Sequence, residues 1–178
     1  MTKQAAEDEH FMRAALDEAR LALREGEFPV GCVLVEYGTI IARGRRCNSK
    51  AGMSNEVDHA EVMTLRNLLV SRPGMDCSRV TAYSTMEPCL MCYTTMLLSG
   101  IRRFVWSYED VMGGGTALAL DSLPPLYRAM KVKLVPAVLR SESLALFACF
   151  FEQFSYWQGS LLAEYTLEQM KRIAHVQS

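Results

Sequence analysis

The sequence predicts an α/β fold, a three-layer α-β-α sandwich on a central five-stranded mixed sheet. Three observations predict it. Amphipathic helical stretches alternate with short apolar runs along most of the chain. The first two apolar runs are joined by a glycine turn and read as an antiparallel hairpin. The later runs are separated by helices, which makes them parallel neighbours with helices covering both faces.

The elements follow in order. Glu9 to Glu25 is an amphipathic helix, with Phe11, Ala15, Ala19, Ala22 and Leu23 at helical spacing, and Gly26 stops it. Val30 to Glu36 is a buried strand, Tyr37-Gly38-Thr39 turns it, and Thr39 to Arg45 returns as its partner. A polar loop, Asn48 to Asn55, leads to a helix from Asp58-His59 to about Val70. Arg72-Pro73-Gly74 breaks the chain before a strand at Arg79 to Ser84. Pro88 favours a helix start, so Cys89 to Ser99 is helical and Gly100 closes it. Ile101 to Trp106 is the fourth strand, and Gly113-Gly114-Gly115 reads as a mobile loop near the pocket. A turn-rich stretch, Leu123 to Met130, precedes a last strand over Val132 to Leu139, interrupted by Pro136. Glu142 to Tyr156 is a helix with Leu144, Phe147, Ala148, Phe151 and Phe154 on one face, and Leu161 to His175 is a terminal helix. Residues 1–157 form the catalytic domain and 158–178 a helical extension of it.

Composition narrows the class. The chain has 178 residues, 50% of them hydrophobic and 22% charged, enough for one well-packed core and unlike a disordered chain. The formal net charge of −1 excludes a uniformly basic nucleic-acid binder. No signal peptide and no apolar stretch of membrane length is present, so the expected location is the cytoplasm, with no membrane partner. Six cysteines in such a chain point to a metal or a thiol function before disulfides.

Two short motifs carry the chemistry: His59-Ala60-Glu61 and Pro88-Cys89-Leu90-Met91-Cys92. Each opens a helix in successive βα units. Two thiolates three residues apart can grip one ion, and helix N-termini favour the thiolate form. Adding one imidazole makes a Cys₂His set for a single Zn²⁺ per subunit, with the fourth position open to water. Zinc lowers the pKa of such a water from about 15.7 to about 7. Glu61, two residues after the histidine and not a ligand, is the proton carrier. A redox Cys-x-x-Cys pair is one alternative, but it leaves His59 and Glu61 unexplained. A structural, non-catalytic zinc module is the other, and it needs a fourth protein ligand.

H-x-E followed by P-C-x-x-C is the signature of the zinc nucleobase deaminases. Together with Phe28-Pro29-Val30-Gly31-Cys32-Val33-Leu34-Val35 and Met86-Glu87, these blocks resemble the cytidine and deoxycytidylate deaminase superfamily over about residues 9–155. The nearest branch by this likeness is the bacterial tRNA adenosine deaminases, with guanine deaminase a neighbour. The resemblance implies a cytidine deaminase-like fold, hydrolytic release of ammonia, and a homodimer with its contact near the active site. It implies adenosine in tRNA, converted to inosine, as the first substrate. The alternatives are guanine, cytosine or a free nucleoside or nucleotide. It also implies that Asn48 contacts the substrate nucleoside, that Val30 and Met86 line the base pocket, with Pro29 and Gly31 shaping the wall, and that Asp110 approaches the substrate. Ordinary core packing for Val30 and Met86, and a solvated loop acid for Asp110, are the plain alternatives.

The tail departs from the tRNA branch. Phe150-Phe151 is followed by Glu152-Gln153-Phe154-Ser155-Tyr156-Trp157, and the only lysine or arginine residues beyond Phe151 are Lys171 and Arg172, against Glu152, Glu164 and Glu168. Such a tail offers few phosphate contacts. Arg43, Arg45, Arg46 and Lys50 cluster beside Asn48, either as a phosphate site or as a solvated hairpin end. Arg102 and Arg103 read as edge charges.

Overall fold

A computed structural model describes residues 2–50, 55–155 and 157–176; Tyr156 and part of the 48–55 loop lie outside them. Helix α1 spans Lys3–Arg24, β1 Gly31–Glu36, β2 Thr39–Arg45, α2 Ala60–Ser71, β3 Thr81–Met86 and α3 Leu90–Leu98. Then come β4 Arg103–Tyr108, the short α4 Pro125–Arg128, β5 Lys133–Val135, α5 Arg140–Gln153 and α6 Leu161–Val176. The sheet order is β2-β1-β3-β4-β5. Strand β1 is antiparallel to both β2 and β3, whereas β3, β4 and β5 run parallel, so the sheet is mixed as expected.

Side-chain alternation sorts the two faces of the sheet. Val33, Val35, Tyr83 and Val105 pack with Phe11, Met12, Ala15 and Leu16 of α1. Cys32, Leu34, Ala82, Phe104 and Trp106 point the other way, into a cluster with Leu65 and Leu68 of α2 and Met96 and Leu97 of α3. Helix α5 joins this larger cluster through Phe147, Phe150 and Phe151, which meet Phe28 edge to face. Gly31 is required by contact: a Cβ there would sit 2.6 Å from the Ala19 backbone nitrogen, so no side chain fits between β1 and α1.

Several boundaries move. Helix α1 begins six residues earlier than its apolar periodicity indicates, because Thr2 caps it by accepting the Ala5 N–H and Asp8 is drawn inward. Asp8 accepts from Arg103 at 2.7 and 2.9 Å and from the Tyr83 hydroxyl at 2.8 Å. Arg103 is therefore the half-buried ion-pair partner of the buried Asp8 and not an edge charge. The third and fourth strands run two residues further than read, to Met86 and Tyr108. Strand β5 is only three residues long, since it is the sheet edge and Pro136 has no N–H to continue the ladder. Helix α5 starts at Arg140 and ends at Gln153, two and three residues before the expected limits.

Candidate active site

His59 and Cys89 occupy equivalent places in successive βα units. Each is the residue just before a helix, with extended backbone (φ −65°, ψ 148° and φ −65°, ψ 169°). Cys92 lies in the first turn of α3 and is buried. His59 Nδ1 is 3.5 Å from Cys89 Sγ and 3.4 Å from Cys92 Sγ, and the three donor atoms lie within 4.8 Å of one another. Four-coordinate zinc, with Zn–S of about 2.3 Å and Zn–N of about 2.0–2.1 Å, separates neighbouring donors by about 3.6 Å. The donor set fits that ion in both spacing and softness.

The two thiols are not equivalent. Cys89 is lowered to about 4, first by a hydrogen bond from Cys92 and further by His59, against the opposing effect of burial. Cys92 is pushed far up by the same hydrogen bond, by burial and by Glu61. The proton of the pair therefore rests on Cys92, and holding a metal ion with both sulfurs would require its release.

Glu61 stands in the first turn of α2, fully inside the protein. Its Oε1 accepts from Ser84 Oγ of β3 at 3.0 Å, and its Oε2 lies 3.6 Å from Cys92 Sγ. Burial raises its carboxyl above the ordinary range, which suits a group that takes and returns a proton near neutrality. Ser84 was not singled out from the sequence. Four of the six β3 residues, Thr81, Tyr83, Ser84 and Thr85, carry a hydroxyl, so the sequence alone does not mark Ser84 out.

A cavity of about 190 Å³ opens onto these groups. That is below the range for drug-sized ligands, and suits one heterocycle. Val30, Met86 and Asp110 line it together with His59, Glu61 and Cys89. Phe28, Arg46, Met112, Trp157 and Leu162 line it too, none of them assigned to the pocket by the sequence reading. A larger depression of about 420 Å³, beside Tyr37, Arg72, Asp76 and Arg79, carries none of the metal-binding side chains.

Asn48 is not in the cavity lining. It has a left-handed backbone (φ 58°), and its Nδ2 donates to Asp58 Oδ2 at 2.7 Å, as does Asn55 Nδ2. The Asp110 carboxylate accepts the N–H groups of Met112 and Gly113 at 3.0 and 2.8 Å, so it shapes the loop as well as facing the cavity.

The triple-glycine loop is pinned, contrary to the mobile loop read from composition. Gly114 N–H donates to Asp110 O and Gly115 N–H to Pro88 O, and Cys89 and Gly114 form a β-bridge. A Cβ on Gly115 would lie 2.5 Å from the Leu90 nitrogen and Cα. The glycines let this loop lie against the start of α3. The basic cluster also resolves differently. Arg45 pairs with Glu25 and Glu18, Lys50 lies 3.8 Å from Glu27, and Arg46 is buried and pairs with Glu56. Arg45 and Lys50 are thus taken up by acids of the fold, while Arg46 turns inward toward the cavity.

The tail is fastened to the loop that carries Asp110. Glu109 accepts from Arg140 of α5 and from the Tyr165 hydroxyl of α6, and Tyr108 OH meets Thr166 Oγ1 at 2.8 Å. Among the described residues, no helix is long and apolar enough to cross a membrane.

Comparison with known proteins places the chain in a family. Residues 5–108 match the sequence model of the cytidine and deoxycytidylate deaminase zinc-binding region. A tRNA-specific adenosine deaminase of Bacillus subtilis (strain 168) is 30% identical over 147 residues, covering 83% of this chain and 90% of that protein. The protein of the same name from Aquifex aeolicus (strain VF5) is 31% identical over 141 residues, covering 78% and 92%. A solved structure from work on A-to-I editing by tRNA:A34 deaminases at the wobble position superposes with a TM-score of 0.66 at 30% identity, covering 77% of this chain and 98% of that one. Guanine deaminase from Nitrosomonas europaea, 19% identical with a TM-score of 0.64 over 80% and 83% of the two chains, shares the fold.

Proposed function

The chain belongs to the cytidine and deoxycytidylate deaminase family, and from that premise we propose that it is a zinc-dependent hydrolytic deaminase of an amino-substituted nucleobase. The observation that carries this reading is the three-donor cluster beside the buried Glu61 carboxyl at the end of a base-sized cavity. His59, Cys89 and Cys92 would hold one zinc ion per subunit. When bound, zinc supplies a water acidified to near neutrality. Glu61 would carry two protons of that water in turn, the first to the ring nitrogen and the second to the departing amine, so that ammonia leaves and the ring carbon keeps the oxygen. Ser84 fixes one oxygen of Glu61 and leaves the other turned toward the metal ligands. Val30 and Met86 exclude water from the faces of the base.

Adenosine in tRNA is the first substrate reading, supported by two relatives of that activity at 30% and 31% identity over most of their length. A second reading, a deaminase of guanine, cytosine or a free nucleoside or nucleotide, is supported by the tail. Trp157 and Leu162 narrow the cavity, and the segment that carries them is acidic. Asn48 and Asp110 would meet the substrate where the loop exposes them. The reading of residues 158–178 as an extension of the same domain is supported by α6, which packs on the catalytic core through Leu162 and Thr166. A homodimer is supported by Leu90 and Leu98, which stand 52% and 57% exposed at the two ends of α3, the helix that carries Cys92. The family resemblance supports the cytoplasm as its location.

The test is zinc content and ammonia release for wild type and Glu61→Gln. The panel is adenosine, guanine, cytidine, dCMP and an anticodon stem-loop. Glu61→Gln should keep its zinc and lose about 10²- to 10⁴-fold in kcat. A Glu61→Gln protein with full zinc and full activity sinks the mechanism.

A further inference from the structure

Arg46 is 4% exposed and lines the catalytic cavity. Its backbone N–H donates to Val30 O at 2.8 Å, which ties it to another wall residue. Its Nη2 donates to Asn55 O and to Glu56 Oε2, both at 3.0 Å. Its Nη1 is buried and, among the described residues, has no hydrogen-bond partner. Buried polar groups are nearly always satisfied, so a guanidinium with one terminal nitrogen tied down and the other left over needs an explanation. Its ion-pair partner Glu56 has a side chain 55% exposed, against 5% for that of Arg46. Among the described residues, Arg46 is the one arginine or lysine in the cavity lining.

We propose that Arg46 Nη1 donates to an oxygen of the bound substrate and thereby sets which base is accepted. The inference rests on the deaminase reading and deepens it. A guanidinium held by one edge is a preorganised donor, which a flexible lysine is not. The oxygen has two chemical sources, a carbonyl on the base or a phosphate on a nucleotide. Glu56, Glu61, Glu87 and Asp110 line the same cavity, and four carboxyl groups disfavour a dianionic phosphate there. They favour the neutral carbonyl. Guanine and cytosine carry one and adenine does not. A site built around such a donor rejects the analogue that leaves it unpaired.

The experiment is calorimetric binding to the zinc-loaded Glu61→Gln protein, alone and combined with Arg46→Met or Arg46→Lys. The ligands are adenine, adenosine, AMP, guanine and cytosine. Arg46→Met should weaken guanine or cytosine about 10- to 100-fold and leave adenine within about twofold, with Arg46→Lys in between. A loss confined to AMP, with adenosine unaffected, keeps the donor role, assigns the oxygen to phosphate and overturns the choice of base by Arg46. Equal losses on all five ligands show a structural role and overturn the proposal, as does no loss on any. Should Arg46→Met fail to fold, Arg46→Lys reads the same ratio of guanine or cytosine to adenine. Wild-type ammonia release separates the two levels. No release from any base, nucleoside or anticodon stem-loop removes the deaminase reading. Release combined with binding that ignores Arg46 removes only this inference.

Discussion

The two sides of the cavity are built in different ways. The metal side comes from two short segments, 59–61 and 89–92, each at the start of a helix that follows a sheet strand. The substrate side draws on Phe28, Arg46, Asp110, Trp157 and Leu162, which are scattered over more than three-quarters of the chain. The metal side owes its geometry to local backbone: two helix starts with nearly the same dihedral angles bring their side chains to one point. The substrate side owes its geometry to tertiary packing, through α5, α6 and the 109–115 loop. Chemistry is therefore encoded locally in this protein, and selectivity globally.

The largest expected effect breaks the metal side. Removing zinc with a chelator should abolish ammonia release, and restoring zinc should recover it. The protein should also lose stability, because an ion that binds only the folded state at 1,000 times its Kd stabilises by about 4 kcal/mol. Calorimetric melting with and without zinc measures this. A melting temperature indifferent to zinc contradicts a preformed site at His59, Cys89 and Cys92.

Next in size is the junction between the two sides. Gly115→Ala places a methyl group against the backbone of Leu90, where 2.5 Å leaves no room. The loop or the start of α3 must shift, which costs about 1–3 kcal/mol by analogy with overpacked cores. Since Cys89 is the residue before Leu90, zinc retention should fall as well. Gly74→Ala is the control for a turn away from the site: it is strained by its positive φ of 76° but meets no neighbouring atom, so zinc content should hold.

The same contrast explains what could be read from the sequence. The four residues proposed for metal and proton handling were legible because each motif is a few residues long and a helix start dictates where its side chains go. The sheet was legible because Val30 to Glu36 and its neighbours are apolar runs bounded by glycine turns. The first turns of α1 were not, because Lys3 to Glu7 have no apolar period and are held by a cap and by the distant pair Asp8–Arg103. Arg46 looked like one of four surface cations. Only the fold shows that its neighbours Arg45 and Lys50 face other acids while it turns inward. The triple glycine looked like slack, whereas close approach to Leu90 and to Glu87 is what demands it.

A third prediction probes the metal side without catalysis. In zinc-stripped protein the Cys89 thiol, lowered to about 4, is a thiolate at pH 6, whereas an ordinary cysteine with pKa about 8.5 is almost wholly protonated there. Reactivity is present above the lowered pKa and is lost as pH falls through it. Iodoacetamide at pH 6 should label Cys89 about tenfold faster than half-buried Cys47, whose thiol is raised by burial. Bound zinc should protect Cys89. Peptide mapping by mass spectrometry reads both rates, and labelling of Cys89 that is unchanged by zinc breaks the assignment of its sulfur to the ion.

The smallest effect falls on the substrate wall. Trp157 lines the cavity yet is 40% exposed and sits in a left-handed turn (φ 61°) between α5 and α6. Truncating it removes apolar surface from one side of the cavity without opening the core, so Trp157→Ala should change the melting temperature by only a degree or two, as surface substitutions usually do. KM for the preferred substrate should rise about three- to tenfold, matching about 1 kcal/mol of lost contact with the base, while kcat and zinc content stay near wild type. The opposite split, a lower kcat at unchanged KM, would place Trp157 with the chemistry and erase the division between a locally built metal side and a globally built wall. An anticodon stem-loop substrate sharpens the comparison further. If RNA turnover rises when Trp157 is removed while turnover of free bases falls, the tail acts as a selectivity wall that narrows the cavity to a single base.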